Sequence, residues 1–296
     1  MLFLIGLPRT GSKIYMNIFN NNSGYNILNE VHFLLPFYHK KDFVRTIKNL
    51  DLNSNNGIFK LVKMMYSQKF NGTFWESNIN KWTKNNSIFA IEPASLYCEI
   101  KKNPKSHRNI LKSLIQIHTT TLKKDIGGAK FPVDISYFPK LFSWFPDSFF
   151  LHLIRDPRAI YYSKVKAEIG RMKNVSSLSR YFIMLKRLLQ IVYQYKVAYR
   201  IHKSYKNRYN YKHMRFEDIV NSPKEKVNEL CQFAGVKFTN SMLNPPVVNS
   251  SYNNEQKVGF NVKAIDNWRS NNYPVFTELI CDFLEQEMSF FGYHSK

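Results

Sequence analysis

Two rhythms of apolar and polar positions run along this chain, and the switches between them delimit its elements. Residues 2–7 form a continuous apolar run that stops at Pro8-Arg9, as expected of a short strand buried on both faces of a parallel sheet. Helical spacing then holds from 13 to about 20, and a second short strand is expected at 25–28. Residues 33–102 read as helical but irregular, with Trp75 and Trp82 inside, and 107–122 as a clean helix. A strand at 129–131 and a helix at 135–145 follow. Residues 149–154 are the clearest second buried strand, and Pro157 suits the first turn of the next helix. A long helical pattern covers 176–205, a strand-like stretch 211–216, a helix closed by Gly235 covers 223–234, and a last amphipathic helix 274–291. Strands alternating with helices predict an α/β fold of three layers, α/β/α, around a central parallel sheet with right-handed crossovers. Such sheets bind ligands at the carboxyl ends of their strands. The pattern contains no repeat and no linker, so the 296 residues are expected to be one domain.

Composition narrows this picture only a little. A hydrophobic share of 44% with 16% aromatics excludes a disordered chain. The net charge of +22 points to anionic partners, although codon bias that inflates lysine would raise it as well. Cys98, Cys231 and Cys281 are too scattered for a disulfide framework or a zinc site, which fits a reducing compartment. No apolar stretch reaches the ~18 residues of a membrane span. The run at 1–7 lacks the basic start and cleavage pattern of a signal peptide, so a soluble, cytoplasmic protein is expected.

The chemistry sits at two strand-to-helix corners. The first is Gly6-Leu7-Pro8-Arg9-Thr10-Gly11-Ser12-Lys13. Its glycines let backbone approach an anion, a helix start aims free N–H groups at it, Thr10 and Ser12 add hydroxyls, and Arg9 and Lys13 add charge. The rival is the nucleotide-binding loop G-x-x-x-x-G-K-[ST]. Gly6 and Gly11 have its spacing, but Ser12 stands in the lysine position and Ile14 follows Lys13, so the magnesium-holding hydroxyl is missing. A magnesium-dependent kinase is therefore disfavoured.

The second corner runs from the strand at 149–154 into Arg155-Asp156-Pro157-Arg158, with Ser163 eight residues after Arg155. An arginine at a strand end ahead of a helix start is again an anion site. Ser163 lies roughly 12 Å along the helix by rise, so both can touch one ligand only if the chain enters the helix across it. The competing reading makes Arg155 and Arg158 ion-pair partners of Asp156.

Pro8-Arg9-Thr10-Gly11-Ser12 resembles the 5′-phosphosulfate loop of sulfotransferases that use 3′-phosphoadenosine-5′-phosphosulfate (PAPS), with Lys13 where that family usually has threonine. Arg155-Asp156-Pro157-Arg158-Ala159 with Ser163 resembles the same family's 3′-phosphate motif. The resemblance is greatest to Golgi-type and tyrosylprotein-type enzymes. It implies the sulfotransferase variant of the P-loop NTPase-like fold, PAPS as donor, 3′,5′-ADP as product and no metal. It places Arg9, Thr10, Gly11, Ser12, Lys13, Arg155 and Ser163 on the donor. Glu30, in Asn29-Glu30-Val31-His32, resembles the family's glutamate base. The end of a second strand is expected beside that of the first, which would face Glu30 towards the phosphate loop. His32 competes as base, but Lys130-Phe131-Pro132 lacks the histidine of the cytosolic branch. Lys130 resembles the lysine that contacts the transferring sulfonate, and with Arg9 would neutralise charge on the leaving phosphate.

Met214-Arg215-Phe216-Glu217-Asp218 resembles a further family block, which makes Arg215 a donor contact and the two acids structural. Residues 261–268 resemble a late tyrosylprotein-type segment, and Lys257 just before it is a candidate to close over the donor. Residues 33–128 match nothing in the family and are expected to be a mainly helical insertion on the acceptor side. The implied partner is a hydroxyl-bearing acceptor; sugar, lipid-linked glycan, small alcohol and tyrosine all stay open, and the basic surface favours an anionic glycan. A nucleic-acid binder is the third reading, but the lysines and tyrosines at 186–211 fall at helical spacing, and no nucleic-acid partner is expected.

Overall fold

The computed structural model describes residues 1–29, 47–66, 93–103, 105–131, 135–170, 172, 176–247, 258–270 and 274–294. Among these, five strands make one parallel sheet flanked by helices, in the order β2-β3-β1-β4-β5. They are β1 (Leu2–Gly6), β2 (Tyr25–Leu28), β3 (Ile126–Phe131), β4 (Phe149–Ile154) and β5 (Tyr211–Arg215). The α/β expectation therefore holds. The chain leaves β1 towards one side of the sheet and β4 towards the other, so the strand order reverses at their carboxyl ends, where doubly wound sheets open a crevice. One expectation fails: β3, not β2, is the neighbour of β1.

Two compact units divide the chain: residues 1–3 with 23–148, and residues 4–22 with 149–296. In the first, β2 and β3 run parallel from Tyr25↔Ile126 to Leu28↔Ala129. They are joined there by α2 (Asn55–Tyr66), α3 (Pro93–Lys102), α4 (His107–Thr121) and α5 (Phe138–Trp144). Ser106 caps α4, its hydroxyl accepting from the Asn109 N–H at 3.2 Å. Phe3 packs on Phe131 and Phe145 with ring centroids 5.9 and 5.1 Å apart. β3 begins three residues earlier than its apolar pattern suggests, because Gly127 and Gly128 belong to it. A Cβ on Gly128 would lie 1.8 Å from the Leu2 carbonyl oxygen, and one on Gly127 2.2 Å from Thr119 Oγ1. The glycines here mark close packing rather than a turn.

The second unit holds the end of β1, α1 (Ser12–Asn20), β4 and β5. It also holds α6 (Pro157–Ile169), α7 (Ser177–Tyr205), α8 (Phe216–Asn221) and α9 (Pro223–Ala234). α10 (Lys263–Asp266), α11 (Pro274–Phe283) and α12 (Glu285–Phe290) complete it. Gly235, at φ 67°, ends α9, and the Val236 N–H returns to the Cys231 carbonyl at 2.9 Å. The final apolar pattern is broken at Leu284 into two helices, which turns Phe290 and Phe291 onto Tyr199 and His202 of α7. Phe216, expected to end the last strand, instead opens α8.

Between β4, β5 and α7 lies an aromatic-histidine cluster in which His152, His202 and Tyr211 are buried and His213 is exposed at the edge. His152 Nδ1 and the Tyr211 hydroxyl share a hydrogen bond of 2.6 Å, and the His202 and His213 rings are 4.4 Å apart. Burial pushes His152 and His202 down, His202 to about 4, with neighbouring histidines, and Lys206 beside His202, adding to the effect. His118 of α4 is likewise pushed to about 4 by burial. Since these imidazoles stay neutral in the fold while the unfolded chain gains protons from about pH 6.5 downwards, the stability they preserve is complete above that pH and declines towards pH 4. A thermal melt series from about pH 6.5 to about 4.5 is expected to show Tm falling steeply; a level Tm would contradict this account.

Candidate anion-binding site

The sheet delivers the two corners of the second unit to one place. Arg155, at the end of β4, donates from Nη1 to the backbone carbonyl of Arg9 at 2.9 Å. Arg9 in turn donates from Nε to Ser163 Oγ at 2.8 Å. The interval between Arg155 and Ser163 along α6 is thus bridged by one residue from the loop after β1. Arg155 also donates from Nη2 to the Ala264 carbonyl at 2.7 Å, and its guanidinium carbon lies 4.2 Å from the centre of the Phe216 ring. The segment at 261–268, singled out in the sequence, therefore reaches this corner through α10.

The loop is shaped by three left-handed residues. Gly6 (φ 149°) leaves no room for a side chain, because a Cβ would lie 2.6 Å from the Leu153 carbonyl oxygen of β4. At Gly11 (φ 81°) a Cβ would meet the Phe216 ring at 2.4 Å. Arg9 has φ 78° although it carries a side chain, a conformation that costs about 1–2 kcal/mol. Thr10 Oγ1 donates to the Leu7 carbonyl at 2.8 Å and pins the turn. Thr10 and Ser12 are buried, while Arg9 and Lys13 are half-buried.

The two helix starts differ. α1 has Gly11 at its N-cap, no side-chain cap and no acid in its first turn, so its leading N–H groups and the positive end of its dipole face the loop. α6 is capped by its own Asp156, which accepts from the Arg158 N–H at 2.8 Å. That carboxylate occupies the helix start that the sequence pattern leaves to an outside anion. The ion-pair alternative also resolves. Arg158 donates to both Asp156 oxygens, at 3.0 Å from Nε and 2.8 Å from Nη2, and stacks 4.3 Å from the Trp268 ring centre. Arg155 makes the carbonyl contacts described above.

Glu217 is held as a structural carboxylate. It accepts from the Tyr293 hydroxyl at 2.6 Å and from the Asp156 N–H at 3.1 Å, and burial pushes its pKa up. Arg215 lies over the Tyr293 ring at 4.4 Å, with Asp218 Oδ1 3.8 Å from its Nε, and its carbonyl accepts from the Tyr15 hydroxyl at 2.9 Å. Lys130 belongs to the first unit, on β3, and is only 1% exposed. Glu30, His32 and Lys257 lie outside the described residues.

The sequence carries no sign of Lys164. Next to Ser163 on α6 and buried, it donates from Nζ to Gln194 Oε1 of α7 at 2.9 Å. Burial, then Arg187 and Arg9, push its pKa down to about 7. Arg187 itself pairs with Glu168.

A parallel sheet whose two central carboxyl corners carry interlocked arginines, one before an uncapped helix start, makes a candidate anion-binding site. The chain belongs to the sulfotransferase family, whose profile matches residues 2–240. Solved structures of three sulfotransferases share the fold. The sulfotransferase domain of the Synechococcus PCC 7002 olefin synthase aligns at TM-score 0.62 and 16% identity, over 99% of this chain and 94% of that one. The sulfotransferase domain of the curacin biosynthetic pathway gives 0.57 and 15%, over 99% and 98%. Sulfotransferase STF9 from Mycobacterium avium gives 0.54 and 13%, over 99% and 77%. No curated protein matches this sequence.

The strain at Arg9 is testable by stability alone. Arg9→Gly and Arg9→Ala remove the same side-chain contacts, so the glycine variant is expected to be the more stable by about 1 kcal/mol in denaturant titration. Equal midpoints would remove the left-handed turn from the account.

Proposed function

We propose that this chain transfers the sulfuryl group of PAPS to a hydroxyl of an acceptor. The observation that carries the reading is the interlock of Arg155 with the Arg9 carbonyl and of Arg9 with Ser163, which holds the two phosphate-type corners together. The residues present suit a donor with two phosphate ends. At one end are the N–H groups of α1, the hydroxyls of Thr10 and Ser12, and Lys13; at the other are Arg155 and Ser163. When bound, the donor would supply the activated sulfuryl group and a phosphate leaving group. Glu30 would take the proton of the acceptor hydroxyl, and Arg9 and Lys130 would neutralise charge on the leaving oxygen. Arg215 and Lys257 would be further contacts to the donor. Residues 33–128 are proposed as the acceptor-side insertion, and the +22 net charge favours an anionic acceptor such as an acidic glycan.

The test is a thermal-shift titration with 3′,5′-ADP and with ATP and magnesium, followed by transfer assays with labelled donor. Stabilisation by 3′,5′-ADP without magnesium is expected. Arg155→Ala should weaken 3′,5′-ADP about ten- to a hundredfold while changing 5′-AMP little, as for loss of a charge-assisted phosphate contact. Glu30→Gln should bind 3′,5′-ADP normally and transfer nothing. Magnesium-dependent stabilisation by ATP instead would favour the kinase reading.

Lys164 adds a pH signature. A phosphate group near Ser163 would favour the charged amine over the neutral one that burial, Arg187 and Arg9 favour. Binding would then take up a proton, so affinity for 3′,5′-ADP should rise by up to about tenfold from pH 8 to 6.5. Lys164→Met should flatten that profile in isothermal titration; an unchanged slope would remove Lys164 from the site.

A further inference from the structure

Helix α7 wraps the core on one side only, and its other side has the wrong composition for water. Its inward face is Met184, Leu188, Ile191, Tyr195, Ala198 and His202. Opposite them, Leu178, Phe182, Leu189 and Tyr193 point outward with 60–67% of their surface exposed. At 100° per residue these four fall within an arc of roughly 60°. Single exposed apolar residues are ordinary; four on one arc of one helix form a patch. Lys196 and Arg200 continue the same arc, and Lys186 borders it. The helix contains six lysines and arginines and no acid in its 29 residues, which at 1.5 Å each make about 43 Å.

We propose that this face of α7 is a docking surface for a lipid bilayer containing anionic headgroups. The chemistry is that of a helix lying in the interface: Leu and Phe enter the acyl boundary, Tyr sits at headgroup level, and Lys and Arg extend to phosphate and carboxylate groups. A second copy of the chain fits poorly, because pairing two such faces would bring together two helices that each carry cations and no acid, on molecules of net charge +22. A nucleic acid would use the cations and stack on Phe182 and Tyr193, but Leu178 and Leu189 offer it nothing, and one convex helix makes no groove to track a backbone. The contact is peripheral, since no helix among the described residues is long and apolar enough to cross a membrane. It does not depend on the donor chemistry above.

The experiment is co-sedimentation of the full chain with phosphatidylcholine vesicles, with and without phosphatidylserine, at low and high salt. Sedimentation with the phosphatidylserine vesicles, weakening with salt, is expected. A variant with Leu178, Phe182, Leu189 and Tyr193 all changed to Ser should lose about tenfold or more of that binding. So should a second variant, Lys186→Gln with Lys196→Gln and Arg200→Gln. Both should keep the parent Tm, which separates lost docking from lost folding. No sedimentation with anionic vesicles overturns the proposal, as does a serine variant that binds like the parent, since the net charge alone would then explain the effect. So would a self-association seen by light scattering that the serine variant abolishes, or RNA binding that it abolishes while vesicle binding stays.

Discussion

The site depends on one residue used twice. The carbonyl of Arg9 receives Arg155, and the side chain of Arg9 reaches Ser163, so a single loop residue ties the end of β1 to both the end of β4 and the body of α6. Both contacts require the backbone to turn back at Arg9, and the left-handed φ of 78° does that. The neighbouring glycines are needed for the same reason: the loop runs so close to Leu153 and Phe216 that neither Gly6 nor Gly11 has space for a Cβ. Local strain is kept where surrounding contacts over-determine it, and here they come from three separate elements.

Charge around this corner is sorted rather than pooled. Asp156 takes the N-terminus of α6 and both prongs of Arg158, and Trp268 covers that pair. Glu217 is shared by Tyr293 and the Asp156 N–H. Arg187 goes to Glu168. These acids, which in a list of residues look like candidates for proton transfer, are consumed in holding helices to the sheet. Arg9 donates to the Ser163 hydroxyl, and Arg155 donates to the carbonyls of Arg9 and Ala264. Lys164 has its low pKa because its amine is buried, with the positive charges of Arg187 and Arg9 adding to the effect.

Much of this was visible in the linear pattern. The apolar runs at 2–7 and 149–154 mark the two central strands, Pro157 and Gly235 mark helix ends, and Arg9 and Arg155 with Ser163 carry the anion-site signature at local spacing. Such features are written within a few residues of one another, so periodicity and turn chemistry suffice to read them. Where glycine had two meanings the reading slipped: Gly127 and Gly128 look like a breaker and are strand residues under a close-packed helix. The break at Leu284 was likewise invisible, because what bends the last helix is packing of Phe290 and Phe291 against α7, far away in sequence.

By itself, then, the sequence determined the class of fold, the two corners, and the family they belong to, since each rests on short-range patterns. Only the tertiary structure decided that β3 separates β1 from β2, that Arg158 rather than Arg155 pairs with Asp156, and that Arg9 spans the distance from Arg155 to Ser163. It alone buried Lys164 and left Leu178, Phe182, Leu189 and Tyr193 facing outward. Strand order, the partner an arginine chooses and the side of a helix that meets solvent are properties of segments far apart in the chain, and no local pattern encodes them.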